Sequence, residues 1–457
     1  MAEPVGRGDT GGGGEDAGPV EPAGPLRVLM LSWEYPPVVV GGLGRHVHEL
    51  SRELAALGHE VTVVTRHAPG SPIEEYEQGV RVVRAPEDPA RFNLATPSLL
   101  AWTMAFNHTL TRAALRAATT GTGGYDVIHA HDWLVTHTAV TLKEHLDVPL
   151  VATIHATEAG RHQGWLPEDL NRSIHSVEWW LAHEACRVIV CSAYMRWEVG
   201  RLLDVPADRV DIIPNGVDGA AWASTAEAVA RARRRHGGRG PLIGYAGRLV
   251  YEKGVQHLVA AVPQLRKRHP GLRVVVAGDG PYREELQDQA RRLHVGNTVN
   301  FAGFVGKELP AILGATDATV VPSLYEPFGM VALEAAAAGA PLAVARTGGL
   351  VEIIDHEVNG VTFPPHESDG LVEAVHTLLV DPVSARRMAD EARLMVTERF
   401  AWAGVAAGTA GTYAAAVTDG PKFALEQAEA RLAEGMPEVV FPEGNLLGLD
   451  KPAAVGT

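Results

Sequence analysis

Short runs rich in apolar residues alternate along this chain with longer stretches in which apolar residues recur at helical spacing. The runs fall at residues 26–31, 60–65, 80–84, 125–130, 149–154, 187–191 and 210–213, and again at 241–248, 273–278, 299–305 and 318–322. Between the first two, Leu43, Val47, Leu50, Leu54 and Leu57 repeat every three or four positions. Strands that are apolar on both faces belong in a parallel sheet covered by helices, which makes this an α/β chain. A length of 457 residues accommodates two Rossmann-like halves. Pro214-Asn215-Gly216 breaks helix and strand alike, so the first domain is expected over 26–213 and the second over 214–400. A last helical segment follows over 401–417.

The net charge of −15 is less informative than its location, because residues 1–25 and 418–457 contribute −4 each. These ends read as a disordered tail and a flexible tail. An acidic balance argues against nucleic acid and does not favour anionic lipid, since both partners are held by Lys and Arg. Two cysteines, Cys186 and Cys191, are too few for a disulfide framework or a thiolate zinc site. No basic start leads into an apolar core, and the longest apolar run, 335–345, is too short to cross a bilayer. The expected setting is the cytoplasm, without integral membrane contact.

Chemistry concentrates where runs end. After the run at 318–322 comes Ser323-Leu-Tyr-Glu-Pro-Phe-Gly-Met-Val-Ala-Leu-Glu334, a strand-to-helix turn. Gly329 allows close backbone approach, and the helix behind it presents unpaired N–H groups suited to a phosphate. Glu326 and Glu334 bracket that point, one placed for a sugar and the other for a ribose. Gly41-Gly42 sits between the first strand and its helix without the three spaced glycines of a dinucleotide fingerprint. His129-Ala-His131-Asp132-Trp133 ends another strand; with no third ligand in sequence reach, no metal site is expected there. His155 ends the next, followed by Trp165, Trp179 and Trp180. Arg248 and Lys253 place two cations at one sheet edge, as a departing diphosphate needs. Thr347-Gly348-Gly349 forms another flexible turn.

Glu326 and Glu334 with seven residues between, Gly-Arg248-Leu-x4-Lys253-Gly, His131-Asp132-Trp133 and the Gly41-Gly42 loop together resemble retaining GT-B glycosyltransferases of the glycogen- and starch-synthase-like group. The stretches S-W-E-Y-P-P-V-V-V-G-G-L-G-R-H and H-A-T-E-A-G-R-H-Q-G-W are most similar to actinobacterial α-1,4-glucosyltransferases of glycogen and methylglucose lipopolysaccharide synthesis. The resemblance implies two Rossmann-like domains facing a cleft, a C-terminal helix crossing back to the first domain, and glucose transfer from UDP- or ADP-glucose to an α-1,4-glucan with retention and no metal or other cofactor. It implies catalytic roles for His155 on the hexose, Asp132 on the acceptor hydroxyl, Arg248 and Lys253 on the diphosphate, and Glu326. It implies donor contacts from Gly41, Gly42, Val305 beneath the nucleobase, Phe328, Gly329, Met330, Glu334, Thr347 and Gly348. Where the family often carries a lysine before the glycines, this chain has Val40, which leaves that contact to backbone. A lipid or small-molecule acceptor is the nearer alternative, and a sugar-nucleotide epimerase or a silent glucan-binding protein the more distant ones. The nucleobase, acceptor length and oligomeric state stay open.

Overall fold

In the computed structural model, which describes residues 24–38, 41–86, 98–120 and 124–433, the alternation resolves into two sheets. The first contains β1 (Arg27–Leu31), β2 (Glu60–Arg66), β3 (Glu74–Glu77), β4 (Val80–Ala85), β5 (Val127–His131), β6 (Leu150–Ile154), β7 (Arg187–Val190) and β8 (Val210–Ile212). Its order is β3-β4-β2-β1-β5-β6-β7-β8. The pairs are parallel except β3 with β4. The second contains β9 (Leu242–Ala246), β10 (Arg273–Ala277), β11 (Val299–Gly303), β12 (Ala318–Val321), β13 (Leu342–Ala345) and β14 (Val361–Phe363), ordered β11-β10-β9-β12-β13-β14 and parallel throughout. In each sheet the chain starts in the middle and works outward both ways. That places a reversal of strand order, the usual ligand crevice, beside β1 and β9.

Three strands escaped the sequence reading, each because its local pattern hides it. β3, with sequence E-E-Y-E, is mostly exposed and carries no apolar run. β13 merges with the alanine-rich helix Met330–Ala337 into one apolar stretch, and β14 has only three residues.

The final helix runs Trp402–Ala433, so the segment expected to be a flexible tail from residue 418 continues as helix to Ala433. It is held there by side chains of the first domain. Lys143 Nζ, already paired with Glu184 at 2.6 Å, donates to Gln427 at 2.7 Å, and the Arg209 guanidinium lies over the Phe423 ring. The helix Pro382–Arg399 packs instead on the second domain against Met330–Ala337, so the chain crosses back at Phe400–Ala401.

A glycine fixes the two loops that matter most. Gly254 has φ +69°, and an added Cβ would lie 1.8 Å from the Pro322 carbonyl oxygen. Just before it, the Glu252 carbonyl accepts from the N–H groups of Leu324 and Tyr325 at 2.8 and 3.3 Å. The loop carrying Lys253 is thereby laced to the loop carrying Glu326. Gly254→Ala should destabilise the protein by at least about 2 kcal/mol, because backbone must move and a left-handed residue is strained. Gly296→Ala, where no heavy atom lies within 4 Å of the added Cβ, should stay within about 0.5 kcal/mol. Urea unfolding of both variants checks the contrast.

Candidate active site

The segment after β12 turns at Gly329, which caps the helix Met330–Ala337 with no side chain satisfying its first N–H groups. The Met330 and Val331 N–H groups stay available to an anion, while the Ala332 N–H donates to the Gly329 carbonyl at 2.9 Å. Glu326 is buried; its Oε2 accepts from Lys253 Nζ at 2.8 Å and from the Ser323 hydroxyl at 2.9 Å. The sequence reading treated Lys253 and Glu326 as separate contacts, whereas they form one ion pair. Arg248 lies just past the end of β9 and is exposed. Gly348 (φ +52°) lets the neighbouring loop lie against the Glu326 carbonyl, where a Cβ would be 1.9 Å away. The Gly349 N–H donates to that carbonyl at 2.9 Å, and Thr347 Oγ1 donates to the Leu324 carbonyl at 3.2 Å. Phe328 is buried, whereas Met330 and Val305 are half-buried; Phe304 beside Val305 is 88% exposed and so offers an open aromatic face at the end of β11.

Glu334 faces the first domain. Its Oε1 meets an Arg45 guanidinium nitrogen at 3.0 Å, an ion pair that sequence reading missed because Arg45 lies in an unremarkable helix remote in sequence. Burial pushes the Glu334 carboxyl up to about 7, with the charge and hydrogen bond of Arg45 pulling the other way. Arg45 is 55% exposed, so water screens its attraction and burial prevails. Glu34 was also missed. Its Oε2 accepts the Gly41 N–H at 3.0 Å, which occupies one of the two glycine donors and leaves Gly42 as the candidate for a ligand. Val40 lies outside the described residues.

On the first-domain side, β5 and β6 deliver their last residues to the same cleft. Asp132 has φ +60° and ψ 173°, a conformation costing a non-glycine residue about 1–3 kcal/mol. It is held by its own N–H donating to the Thr153 carbonyl at 3.0 Å, and by its Oδ1 accepting the His155 N–H at 2.8 Å. Burial raises the Asp132 carboxyl to about 6. His155 Nε2 lies 3.2 Å from His131 Nδ1, and burial lowers His155 to about 4, so its imidazole is neutral at pH 7. His129 is spent on structure, with Nδ1 2.7 Å from the Tyr413 hydroxyl of the returning helix and Nε2 2.7 Å from Thr153 Oγ1. A third imidazole does reach the cluster. His46, from the helix Gly42–Ala56 and so outside the sequence reach of the His131 motif, has its ring centre 4.8 Å from that of His155. Of the tryptophans, Trp165 is 72% exposed, Trp179 stacks on His183 at 3.7 Å and Trp180 packs edge-on against His137.

The two halves meet around these groups. Ser192 Oγ donates to the Pro327 carbonyl at 2.6 Å, and Tyr325 OH to Glu198 Oε1 at 2.8 Å. The Glu352 carboxylate accepts the first N–H groups of the helix Ala193–Leu202, from Ala193 and Tyr194, at 2.9 and 2.8 Å. What is assembled is a cleft with an open helix N-terminus, two cations and a buried carboxylate on one wall, and neutral imidazoles on the other.

Comparison with known proteins gives consistent results. The family description "Glycosyl transferases group 1" matches residues 228–395, and "Glycosyltransferase Family 4" matches residues 40–220. Glycogen synthase of Mycobacterium tuberculosis is 46% identical over 401 residues, covering 86% of this chain and 95% of that protein. D-inositol 3-phosphate glycosyltransferase of Xylanimonas cellulosilytica is 32% identical over 419 residues, covering 86% and 98%. The solved structure of sucrose-phosphate synthase from Thermosynechococcus elongatus superposes with a TM-score of 0.71 at 24% identity, over 89% of this chain and all of that one, and shares the fold.

The raised Glu334 carboxyl has a measurable consequence. Between an ordinary glutamate pKa near 4.5 and the folded value of about 7, the folded protein holds a proton that the unfolded chain has lost. Stability therefore falls as pH rises through that window, and the cost, of order 3 kcal/mol at most, is fully present above pH 7. Glu334→Gln should raise unfolding stability at pH 8, with the gain fading toward pH 5. Urea titrations at both pH values check this, and a larger gain at pH 5 would contradict the assignment.

Proposed function

The chain belongs to the group 1 and family 4 glycosyl transferases, and from that premise we propose that it moves glucose from UDP- or ADP-glucose to the non-reducing end of an α-1,4-glucan, retaining the anomeric configuration. The observation that carries this reading is the Lys253–Glu326 pair beside the uncapped helix N-terminus. It brings a cation and helix N–H donors within reach of a buried carboxylate. A glucan acceptor is favoured over a small one because the relative at 46% identity is a glycogen synthase, whereas the inositol-phosphate enzyme stands at 32%.

On this reading the nucleotide lies along the second domain. Val305 sits beneath the base, Glu334 accepts from the ribose, and the N–H groups of Met330 and its successors, with Gly42 and the Thr347-Gly348 turn, hold the diphosphate. As the bond from the anomeric carbon to the phosphate oxygen breaks, negative charge grows on that oxygen. Lys253 and Arg248 stabilise it where it develops, which is the form of electrostatic assistance worth most in a partly desolvated cleft. Glu326, already oriented by Lys253 and Ser323, binds a hexose hydroxyl whose contact tightens as the ring flattens toward an oxocarbenium ion. Neutral His155 holds another hydroxyl, while Asp132 keeps the His155 backbone in place beside the incoming acceptor. The acceptor hydroxyl attacks from the face the diphosphate is leaving, and its proton passes to the departing phosphate oxygen. No step requires a divalent metal.

Assays of ADP-, UDP- and GDP-glucose against short maltooligosaccharides test the reading. Chain extension by one of the donors is expected, and epimer formation without transfer would replace the reading with an epimerase. Lys253→Ala and Arg248→Ala should each cost about 2–4 kcal/mol in activation free energy, expressed mainly in kcat. Glu326→Gln should lower kcat strongly with a modest change in donor KM, whereas Glu334→Gln should mainly raise KM, because a contact made equally in ground and transition states adds affinity without speed. Since Lys253 and Glu326 touch, their double variant should cost less than the sum of the singles. Additivity would separate the two roles.

A further inference from the structure

We propose that His46, His131 and His155 form a zinc-class metal site at the cleft, and that filling it switches transfer off. The nearest nitrogens of the three imidazoles all lie within 4.8 Å of one another, although they come from the Gly42–Ala56 helix, β5 and the loop after β6. His131 Nδ1 and His155 Nε2 stand 3.2 Å apart. Two ligands on a tetrahedral zinc with Zn–N of about 2.0–2.1 Å are separated by roughly 3.3 Å, so that pair needs almost no movement. The second observation is that His46 Nδ1 is buried without a hydrogen-bond partner, although buried polar atoms are rarely left that way. His129 is excluded from the set because both of its ring nitrogens are engaged.

The chemistry suits a borderline metal. Neutral imidazole is the form that coordinates, and burial holds all three below their ordinary pKa. Asn215 hydrogen-bonds the His46 ring, giving the orienting support that ligating histidines usually have. Hard cations such as magnesium prefer oxygen and are excluded by an all-nitrogen set. His155 is half-buried, so a cation arrives from the cleft. Binding replaces the His131–His155 hydrogen bond, and the proton of that bond moves to the far nitrogen of its own ring, so none is lost. Water completes the coordination.

The consequence for activity rests on the reading of His155 as a hexose contact. A metal that takes its Nε2 fixes the ring against His131 and His46, where it cannot adjust to the sugar. Zinc is therefore an inhibitor of a reaction that needs no metal.

Binding is tested apart from activity, on the full chain stripped with a chelator. Zinc titrated in a calorimeter, and cobalt followed by its visible absorption, should each reveal one site with a tetrahedral cobalt spectrum. His46→Gln and His131→Gln, which remove a ligand itself, should weaken binding by at least the roughly 100-fold that losing an orienting partner can cost, and His46→Cys, which exchanges one zinc ligand for another, should keep it. Circular dichroism confirms that each variant is folded. Equal zinc binding in wild type, His46→Gln and His131→Gln, or none in any of them, overturns the site. In the transfer assay, zinc should depress the wild type and leave His46→Gln far less affected. If zinc binds at these histidines while no glucosyl transfer is seen under any condition, the functional reading fails and the site stands. If transfer is robust and zinc does not bind, the reverse holds.

Discussion

Two carboxylates buried beside one open helix N-terminus set the terms for the rest of this structure. Glu326 and Glu334 flank the free N–H groups of one short helix, and neither is in water. A buried carboxylate is tolerable only when paired or protonated. Glu326 takes the first course through Lys253 and Ser323, and Glu334 sits near neutrality between the two, with a half-screened Arg45 across the cleft. On the proposed function, Lys253, which offsets one of these charges, is also in reach of the anionic donor. On the same proposed function, the stability cost of Glu334 and its affinity for a ribose are two readings of one desolvation, the usual tension between function and stability at a site.

The same loops join the domains. Pro327, Tyr325 and Glu334 of the second half bond the first half close to Glu326, and Glu352 does so from the helix Leu350–Ile353. Most of these contacts are polar, and one carboxylate caps a helix of the opposite domain. Beneath them, Cys191 and Met195 of the first half belong to the same apolar cluster as Phe328 and Leu350 of the second. Separating the halves would expose Glu334 and uncap Ala193–Leu202.

The histidine wall shows a different economy of parts. β5 sends His129 into a buried chain with Thr153 and Tyr413, tying the returning helix to the sheet, while His131 turns toward His155 and the cleft. Asp132 accepts an unfavourable backbone conformation to hold the next strand's end, which fixes His155 through its main chain rather than its ring. Strain concentrated at one such residue is typical of a site whose geometry the surrounding sheet over-determines.

Much was legible in the sequence, because periodicity and spacing are local. Runs apolar on both faces specified parallel strands, and their alternation with helices specified the doubly wound halves, since those properties are decided within about ten residues. The glutamates around Gly329 and the Arg248–Lys253 spacing were readable for the same reason. What the sequence could not determine is which side chains distant in sequence would share a space. Arg45 against Glu334, Glu34 on the Gly41 N–H, His46 beside His155 and Gln427 on Lys143 are each products of packing. Their residue types are common and their local patterns ordinary, so no spacing marks them. The helix beyond residue 417 likewise continues because the first domain offers Phe423 and Gln427 a surface. The sequence by itself determined the strands, the loops and the charges available at their ends. Only the tertiary structure decided how those charges pair, because pairing depends on burial, and burial exists only once the two halves have closed on each other.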